Sequence, residues 1–324
     1  MEPALETEQP TPVVPRSRCP CKGRWSVCRR KRFWAAVAVV VLLCGAIWLG
    51  VAQAQATVNN YSEQTAVRLA QLAGAAYCSD ASLEAWDCGS KCLPSVQGPV
   101  KVCHGETTQA FVAEWEGAAL VSFEGTKSYL SMIQDLRIWK NLTDWKSHGK
   151  VHDGFLQEWE SLRDCVRNAL AHHSKLRVTG HSLGGAVSTL AMVDLATEGW
   201  NVMGAYTFGM PRAGDAEFAR TFDGMFFQKF YRVTHHMDPV PHVPPENLGF
   251  SHLASEVFYD GDVSHGFKTC AQAEDESCAG KYWDVVLDLF HVNDHLDYMG
   301  QNTGSKGCKA LASQPQAAAG AVVV

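Results

Sequence analysis

Ser182 sits in Gly180-His181-Ser182-Leu183-Gly184, the G-x-S-x-G spacing of a nucleophile elbow. The two glycines remove Cβ atoms where an incoming strand and an outgoing helix would collide. Such a turn lifts the serine hydroxyl clear of the backbone and sets it at a helix N-terminus. There, unpaired N–H groups can stabilise an oxyanion. A glycine-rich turn that merely contains a serine shares the spacing. The apolar stretch 176–179 before it and the helical stretch from Ala186 to Leu195 behind it favour the elbow, which lies between a strand and a helix.

A serine alcohol is a weak nucleophile and needs a base, and the base needs a carboxylate to orient it. Where an elbow carries the serine, the partners follow in the order Asp, then His. Asp238 stands in Val233-Thr234-His235-His236-Met237-Asp238-Pro239-Val240-Pro241, just past a strand-like stretch ending at Thr234. A loop at the carboxyl end of a strand is where such a group belongs. Its competing reading is a turn-forming Asp before Pro. His295 stands in Asn293-Asp294-His295-Leu296-Asp297-Tyr298, and composition does not distinguish it among 13 histidines.

The elements that must position these residues alternate. Gln64 to Tyr77 reads as a helix, with Val67, Ala70 and Leu72 near helical spacing. Ala110 to Trp115 and Ala118 to Phe123 read as strands joined by a turn at Glu116-Gly117. Gly154 to His172 presents Phe155, Leu156, Trp159, Leu162, Val166 and Leu170 as a helix face. A strand at 176–179, a helix at 183–198, and strands from Ala205 to Phe208 and Lys229 to Thr234 follow. This alternation predicts an α/β fold with a largely parallel sheet. The globular part, residues 57–310, is of a size that one domain can hold, with a flexible tail at 311–324.

The chain has 324 residues, 46% hydrophobic and 19% charged, as globular proteins do. Its net charge of -6, without a Lys/Arg run in the globular part, argues against a nucleic-acid partner. There is no internal repeat, and no metal-ligand spacing stands out. Residues 1–18 are rich in Pro, Glu and Thr and read as disordered; with the basic run Arg29-Arg30-Lys31-Arg32 they make up a tail over 1–32. Residues 33–54 carry no charge and are long enough to span a bilayer, which takes about 20 helical residues. Basic residues on the N-terminal side alone predict a cytosolic N-terminus and a lumenal or extracellular globular part. The fold class is therefore α/β preceded by a single N-terminal membrane-spanning helix acting as a signal-anchor. A cleaved signal peptide, which would make the protein secreted, competes, since Ala52-Gln53-Ala54 and Ala54-Gln55-Ala56 resemble cleavage sites.

Of 12 cysteines, Cys19, Cys21, Cys28 and Cys44 lie in or before the apolar run. The first three, beside a basic run, read as free cytosolic thiols, with palmitoylation the competing reading. The eight beyond it predict four disulfides in an oxidising compartment. Asn60-Tyr61-Ser62 and Asn141-Leu142-Thr143 are glycosylation sequons usable there. The tail from Gln314 to Val324 is short and weakly apolar for a glycolipid-anchor signal.

From about Tyr77 to Cys308 the chain resembles the class 3 lipases, an α/β-hydrolase family, through six motifs in order. Phe123-Glu124-Gly125-Thr126 is similar to the family's F-R-G-[ST], and Val151-His152-Asp153-Gly154-Phe155 to its V-H-x-G-F. Val178 to Gly185 resembles V-T-G-H-S-L-G-G, and Tyr206 to Asp215 resembles Y-T-x-G-x-P-R-x-G-D. Asp238 to Pro245 resembles D-x-V-P-x-x-P-P, and Asp294 to Gly300 resembles D-H-x-x-Y-F-G. The resemblance implies an α/β-hydrolase fold, a mostly parallel central sheet flanked by helices, and hydrolysis of lipid esters such as triacylglycerols at a membrane or droplet surface. It implies Ser182 as nucleophile, His295 as base and acid, Asp238 as its orienting carboxylate, and the backbone N–H groups of Leu183 and Thr126 as the oxyanion hole, with no cofactor and no metal. It also implies a lid in the segment carrying Tyr129, Leu130, Met132, Ile133, Leu136, Ile138 and Trp139; an ordinary core-facing amphipathic helix is the competing reading. Glu124 departs from the family's usual Arg or Lys. The implied disulfides are Cys78–Cys308, Cys88–Cys92 and Cys270–Cys278, with Cys103 and Cys165 left as the remaining two. A phospholipase A1 or a feruloyl-type esterase shares these groups, and a catalytically silent, membrane-tethered binding protein could keep the fold. Head-group preference and oligomeric state are not legible.

Overall fold

The computed structural model describes residues 60–127, 141–282 and 291–308. The chain divides between Ala56 and Thr57, and all described residues fall in the second part. The basic tail, the apolar run at 33–54, the residues expected to form the lid and the C-terminal tail from 309 onward lie outside the described residues. Among the described residues, no helix is long and apolar enough to cross a membrane.

Among the described residues, three sheets organise the chain. The principal sheet contains β1 (Val96–His104), β2 (Gln109–Trp115) and β3 (Ala118–Phe123). A small sheet begins with β4 (Leu142–Asp144) and β5 (Lys150–His152). The principal sheet resumes at β6 (Lys175–His181) and β7 (Asn201–Phe208), and β8 (Gly214–Asp215) joins the small one. Then come β9 (Phe230–His235), β10 (Phe250–Ser251), β11 (Glu256–Tyr259) and β12 (Lys268–Cys270), with the short pair β13 (Asp297–Tyr298) and β14 (Gln301–Asn302). The eight-stranded order is β1-β2-β3-β6-β7-β9-β11-β12, and the four-stranded order is β10-β8-β5-β4. From β3 to β11 every pairing in the large sheet is parallel; the outer pairings are antiparallel.

Parallel strands need crossovers; helices supply those from β3 through β9, while the one from β9 to β11 runs through short 3-10 turns and β10. Among the described residues the α-helices are α1 (Glu63–Ala75), α2 (Asp80–Glu84), α3 (Asp153–Ala169), α4 (Leu183–Thr197), α5 (Ala216–Phe226) and α6 (Val292–Leu296). Ser62 caps α1 by accepting the Thr65 N–H at 3.2 Å. Asp215 caps α5 by accepting from Glu217 and Phe218 at 3.1 and 2.8 Å. The α3 stripe Phe155, Trp159, Leu162 and Val166 is buried, as its spacing predicts. Every residue of α4 from Gly184 to Leu195 is buried, which explains a helix that is apolar nearly all round.

Alternation along β2 divides the core. Ala110 and Val112 face the cluster under α3 and α4. Phe111 and Ala113 face the cluster under α1. The turn after β2 puts Glu116 and Gly117 at φ of 50° and 71°, the left-handed pair that joins twisted strands in two residues. β1 was not anticipated. Gly98-Pro99 interrupts its alternation, and its register shifts between Gln97 and Lys101. Four disulfides join Cys78 to Cys308, Cys88 to Cys92, Cys103 to Cys165 and Cys270 to Cys278. Asn60 and Asn141 are exposed.

Leu190 in α4 is fully buried against the sheet. Leu190→Ala should lower unfolding free energy by about 2–5 kcal/mol, measured by urea denaturation. A loss under about 0.5 kcal/mol, the size of a surface effect, would contradict this packing.

Candidate active site

The carboxyl ends of β3, β6, β7 and β9 converge on one region. β6 ends at His181, and the chain turns sharply into α4 at Ser182, whose φ of 58° and ψ of -132° are strained for a residue with a side chain. Backbone bonds hold the turn: the Ser182 N–H donates to Phe208 O at 2.9 Å, and the Gly185 N–H to Ser182 O at 2.9 Å. A Cβ on Gly184 would collide with the carbonyls of Phe123 and Glu124, so only glycine lets α4 start this close to the end of β3.

Asp238 follows β9, and His295 lies in α6. Both are buried, at 2% exposure each. His295 Nδ1 lies 3.0 and 2.9 Å from the two carboxylate oxygens of Asp238. Asp238 also accepts from the Val240 N–H at 2.9 Å and from the Tyr298 hydroxyl. Burial and the Asp238 charge push the Tyr298 phenol well above its ordinary range, so it remains a donor. A bidentate acceptor on Nδ1 selects the tautomer with that proton, leaving Nε2 as the basic nitrogen. Gly209, at φ 59°, lies against this pair: a Cβ there would come within 2.7 Å of Asp238 Oδ2 and 3.0 Å of His295 Nδ1.

A second hydrogen-bonded line runs behind Ser182. His181 Nε2 lies 2.7 Å from His295 O, and its Nδ1 2.8 Å from the Tyr77 hydroxyl. A carbonyl only accepts, so Nε2 carries the proton and Tyr77 donates to Nδ1. Burial, with His295 beside it, holds His181 well below the usual imidazole range, so it is neutral. The ring nitrogens of His235, at the end of β9, lie 3.0 and 3.1 Å from the carbonyls of Asp294 and Gly261, which places the ring between α6 and the sheet. Residue type and spacing alone assign no role to Tyr77, His181 or Tyr298, although His181 falls within the Val178–Gly185 motif and Tyr298 within the Asp294–Gly300 motif.

Thr126 lines a cavity of about 370 Å³ with Tyr77, Lys127, His181, His295 and Leu296. Leu183 is the first residue of α4, so its N–H is among the helix-starting donors. Glu124, next to this strand end, is 1% exposed. Its Oε1 makes an ion pair with Lys127 Nζ at 3.3 Å, without hydrogen-bond geometry. Burial pushes its carboxyl up from the ordinary 4.5 to about 7, against the pull of Lys127. Among the described residues, no group of three or more His, Cys, Asp or Glu side chains is arranged to hold a metal ion.

The Glu124 shift predicts a pH effect. Its proton is bound more tightly in the folded chain, so this contribution to stability is complete below about 4.5 and is lost as pH rises through about 7. Urea midpoints of the wild type should therefore fall relative to Glu124→Gln between pH 4.5 and 7.5. A difference between the two proteins that stays constant with pH would contradict the burial of an ionisable carboxyl here.

A family model described as lipase (class 3) matches residues 120–248. The lipase of Rhizopus niveus is 31% identical over 267 residues, covering 75% of this chain. The chain spans 64% of that relative's own length. Its lipase II structure superposes with a TM-score of 0.63 at 30% identity, over 75% of this chain and 96% of that one. A secreted mono- and diacylglycerol lipase of Gibberella zeae is 30% identical over 294 residues, covering 71% of this chain and 72% of the relative. A triacylglycerol lipase structure whose catalytic centre is formed by a serine-protease triad superposes with a TM-score of 0.61 at 28% identity, over 75% of this chain and 96% of that one.

Proposed function

The chain belongs to the class 3 lipase family, and from that premise we propose that it hydrolyses carboxylic esters of lipids, acylglycerols foremost. One observation carries the reading most: the buried Asp238 carboxylate chelates the Nδ1 proton of His295, in the region where Ser182 sits on its strained turn.

In this reaction Ser182 Oγ attacks the ester carbonyl while His295 Nε2 takes its proton. Asp238 fixes the imidazole and stabilises the cation that forms. The developing oxyanion is bound by the backbone N–H groups of Leu183 and Thr126, each worth on the order of 3 kcal/mol in the transition state. His295 then protonates the departing alcohol, and water, activated by the same imidazole, releases the acid from the acyl-enzyme. The family relationship supports these assignments, and so does the neutral His181, which adds no competing positive charge beside His295.

The segment after Thr126 is the lid in this proposal. Tyr129, Leu130, Met132, Ile133 and Leu136 form the face that covers the site and buries itself in lipid on opening. The catalytic part lies outside the cytosol, tethered by residues 33–54 or secreted after their cleavage. Four disulfides support an oxidising compartment, as do relatives that are secreted proteins.

A fluorophosphonate probe should label the wild type and not Ser182→Ala. Asp238→Asn should lower kcat by on the order of 10⁴-fold while leaving the fold intact. A panel of tri-, di- and monoacylglycerols and phospholipids should show turnover on acylglycerols. An unlabelled wild type, or equal labelling of Ser182→Ala, would end the proposal.

A further inference from the structure

The loop that carries Asp238 into place runs through residues 239–245 and contains Pro239, Pro241, Pro244 and Pro245. Its three amide donors are all committed locally. Val240 N–H bonds Asp238 Oδ1, His242 N–H bonds Pro239 O at 3.2 Å, and Val243 N–H bonds Val240 O at 3.1 Å. Pro245 O accepts from Leu248 at 3.0 Å. That leaves four consecutive carbonyls, of Pro241, His242, Val243 and Pro244, with no donor inside the loop. A buried carbonyl without a donor costs of order 1–3 kcal/mol, so these four need partners from elsewhere.

One residue answers most of that need, its side chain two of the four and its backbone a third. Arg212 Nη1 donates to His242 O at 2.7 Å and Pro244 O at 3.0 Å, and its backbone N–H donates to Val243 O at 2.9 Å. The rest of the same guanidinium grips Glu274, Nε to Oε1 and Nη2 to Oε2, both at 2.9 Å. Glu274 Oε1 accepts the His252 N–H at 2.7 Å, and His252 Nε2 donates to Pro241 O at 2.5 Å, the last of the four carbonyls. The result is a closed circuit from Arg212 through Glu274 and His252 back to the loop. Arg212 is 5% exposed and His252 3%. Burial opposes the Glu274 charge, but the two bonds from Arg212 hold its carboxyl below the ordinary range, so the pair is ionised. Glu246 lies 3.4 Å from Arg212 Nη2 as a weaker, more exposed partner.

We propose that Arg212 is a positioning residue for Asp238. Its guanidinium, braced by Glu274, holds the proline loop by its carbonyls and so sets the carboxylate against His295. The proposal rests on the triad reading above. It goes beyond that reading because Arg212 reaches neither Asp238 nor His295 directly. A planar five-donor fork is needed: a lysine cannot hold two carbonyls and both oxygens of a carboxylate at once. A cavity of about 290 Å³ beside Arg212, lined also by His242 and His252, leaves the loop room to shift when the clamp is lost.

The test uses the full chain and a soluble short-chain ester, with Ser182→Ala alongside. Arg212→Lys should lower kcat by about 10- to 100-fold with KM within about twofold, the mark of misplaced machinery rather than lost substrate binding. The acid limb of its kcat–pH profile should move to lower pH, because an imidazolium with a displaced carboxylate loses its proton more readily. A merely destabilised protein would keep that limb in place. Should Arg212→Lys fail to fold, Glu274→Gln decides the matter: it leaves Arg212 in place without its brace and should show the same kcat loss and limb shift in smaller measure. Wild-type kcat and limb position in a folded variant, or a rise in KM at unchanged kcat, would overturn the clamp alone. A wild type that neither turns over the ester nor reacts with the probe would overturn the triad reading, and the clamp with it.

Discussion

A carboxylate removed from water must be met by hydrogen bonds, and the position of Asp238 follows from that requirement. At 2% exposure it receives the His295 ring, the Tyr298 hydroxyl and the Val240 amide. Each donor comes from a different piece of local structure: a short helix, a two-residue strand and a proline loop. None of these is stable alone, so each leans on the sheet. His235 ties α6 to the end of β9, and His181 reaches from β6 to the His295 carbonyl. α6 is thereby fixed to the carboxyl ends of two parallel strands, β9 and β6, that flank β7, where an open α/β sheet leaves a crevice.

The parts of this arrangement that the sequence displayed are those set by local constraint. The elbow needs glycine at two fixed spacings, so Gly180 and Gly184 marked the turn before any coordinates. The α3 stripe and the β2–β3 hairpin follow from periodicity and one turn, and the alternation of strand and helix pointed to a mostly parallel sheet. What stayed hidden depends on contacts between distant residues. β11 is four residues long and carries Glu256, whose charge breaks an apolar pattern; Arg232 on the neighbouring strand pairs with it at 3.1 Å in the interior. Tyr77 ends a helix in sequence yet reaches His181 across 104 residues. Nothing in a short window signals such a partner.

Buried charge is a recurring device here. Besides Arg232 and Glu256, Asp194 in α4 receives the Trp159 indole N–H at 3.0 Å and Lys146, and Glu158 accepts from the amides and hydroxyls of Thr107 and Thr108. Such pairs add little net stability over an apolar substitute, but a partner removed alone is costly. Asp194 and Glu158 fasten helices to a neighbouring helix or loop, and Arg232 with Glu256 joins two strands, each where apolar packing has no direction of its own. The hydrophobic core supplies the bulk of the folding energy, while these ion and hydrogen-bond contacts select one loop arrangement among many of similar apolar burial.

The disulfide between Cys78 and Cys308 spans 230 residues and brings those two Cα atoms within 5.4 Å. Covalently, nearly the whole domain is therefore a ring. A single proteolytic nick anywhere between these cysteines opens the ring without dividing the molecule, so the piece bearing His295 remains tethered to the piece bearing Ser182. Where proteases are abundant, such a chain loses connectivity only after a second cut or reduction of that one bond.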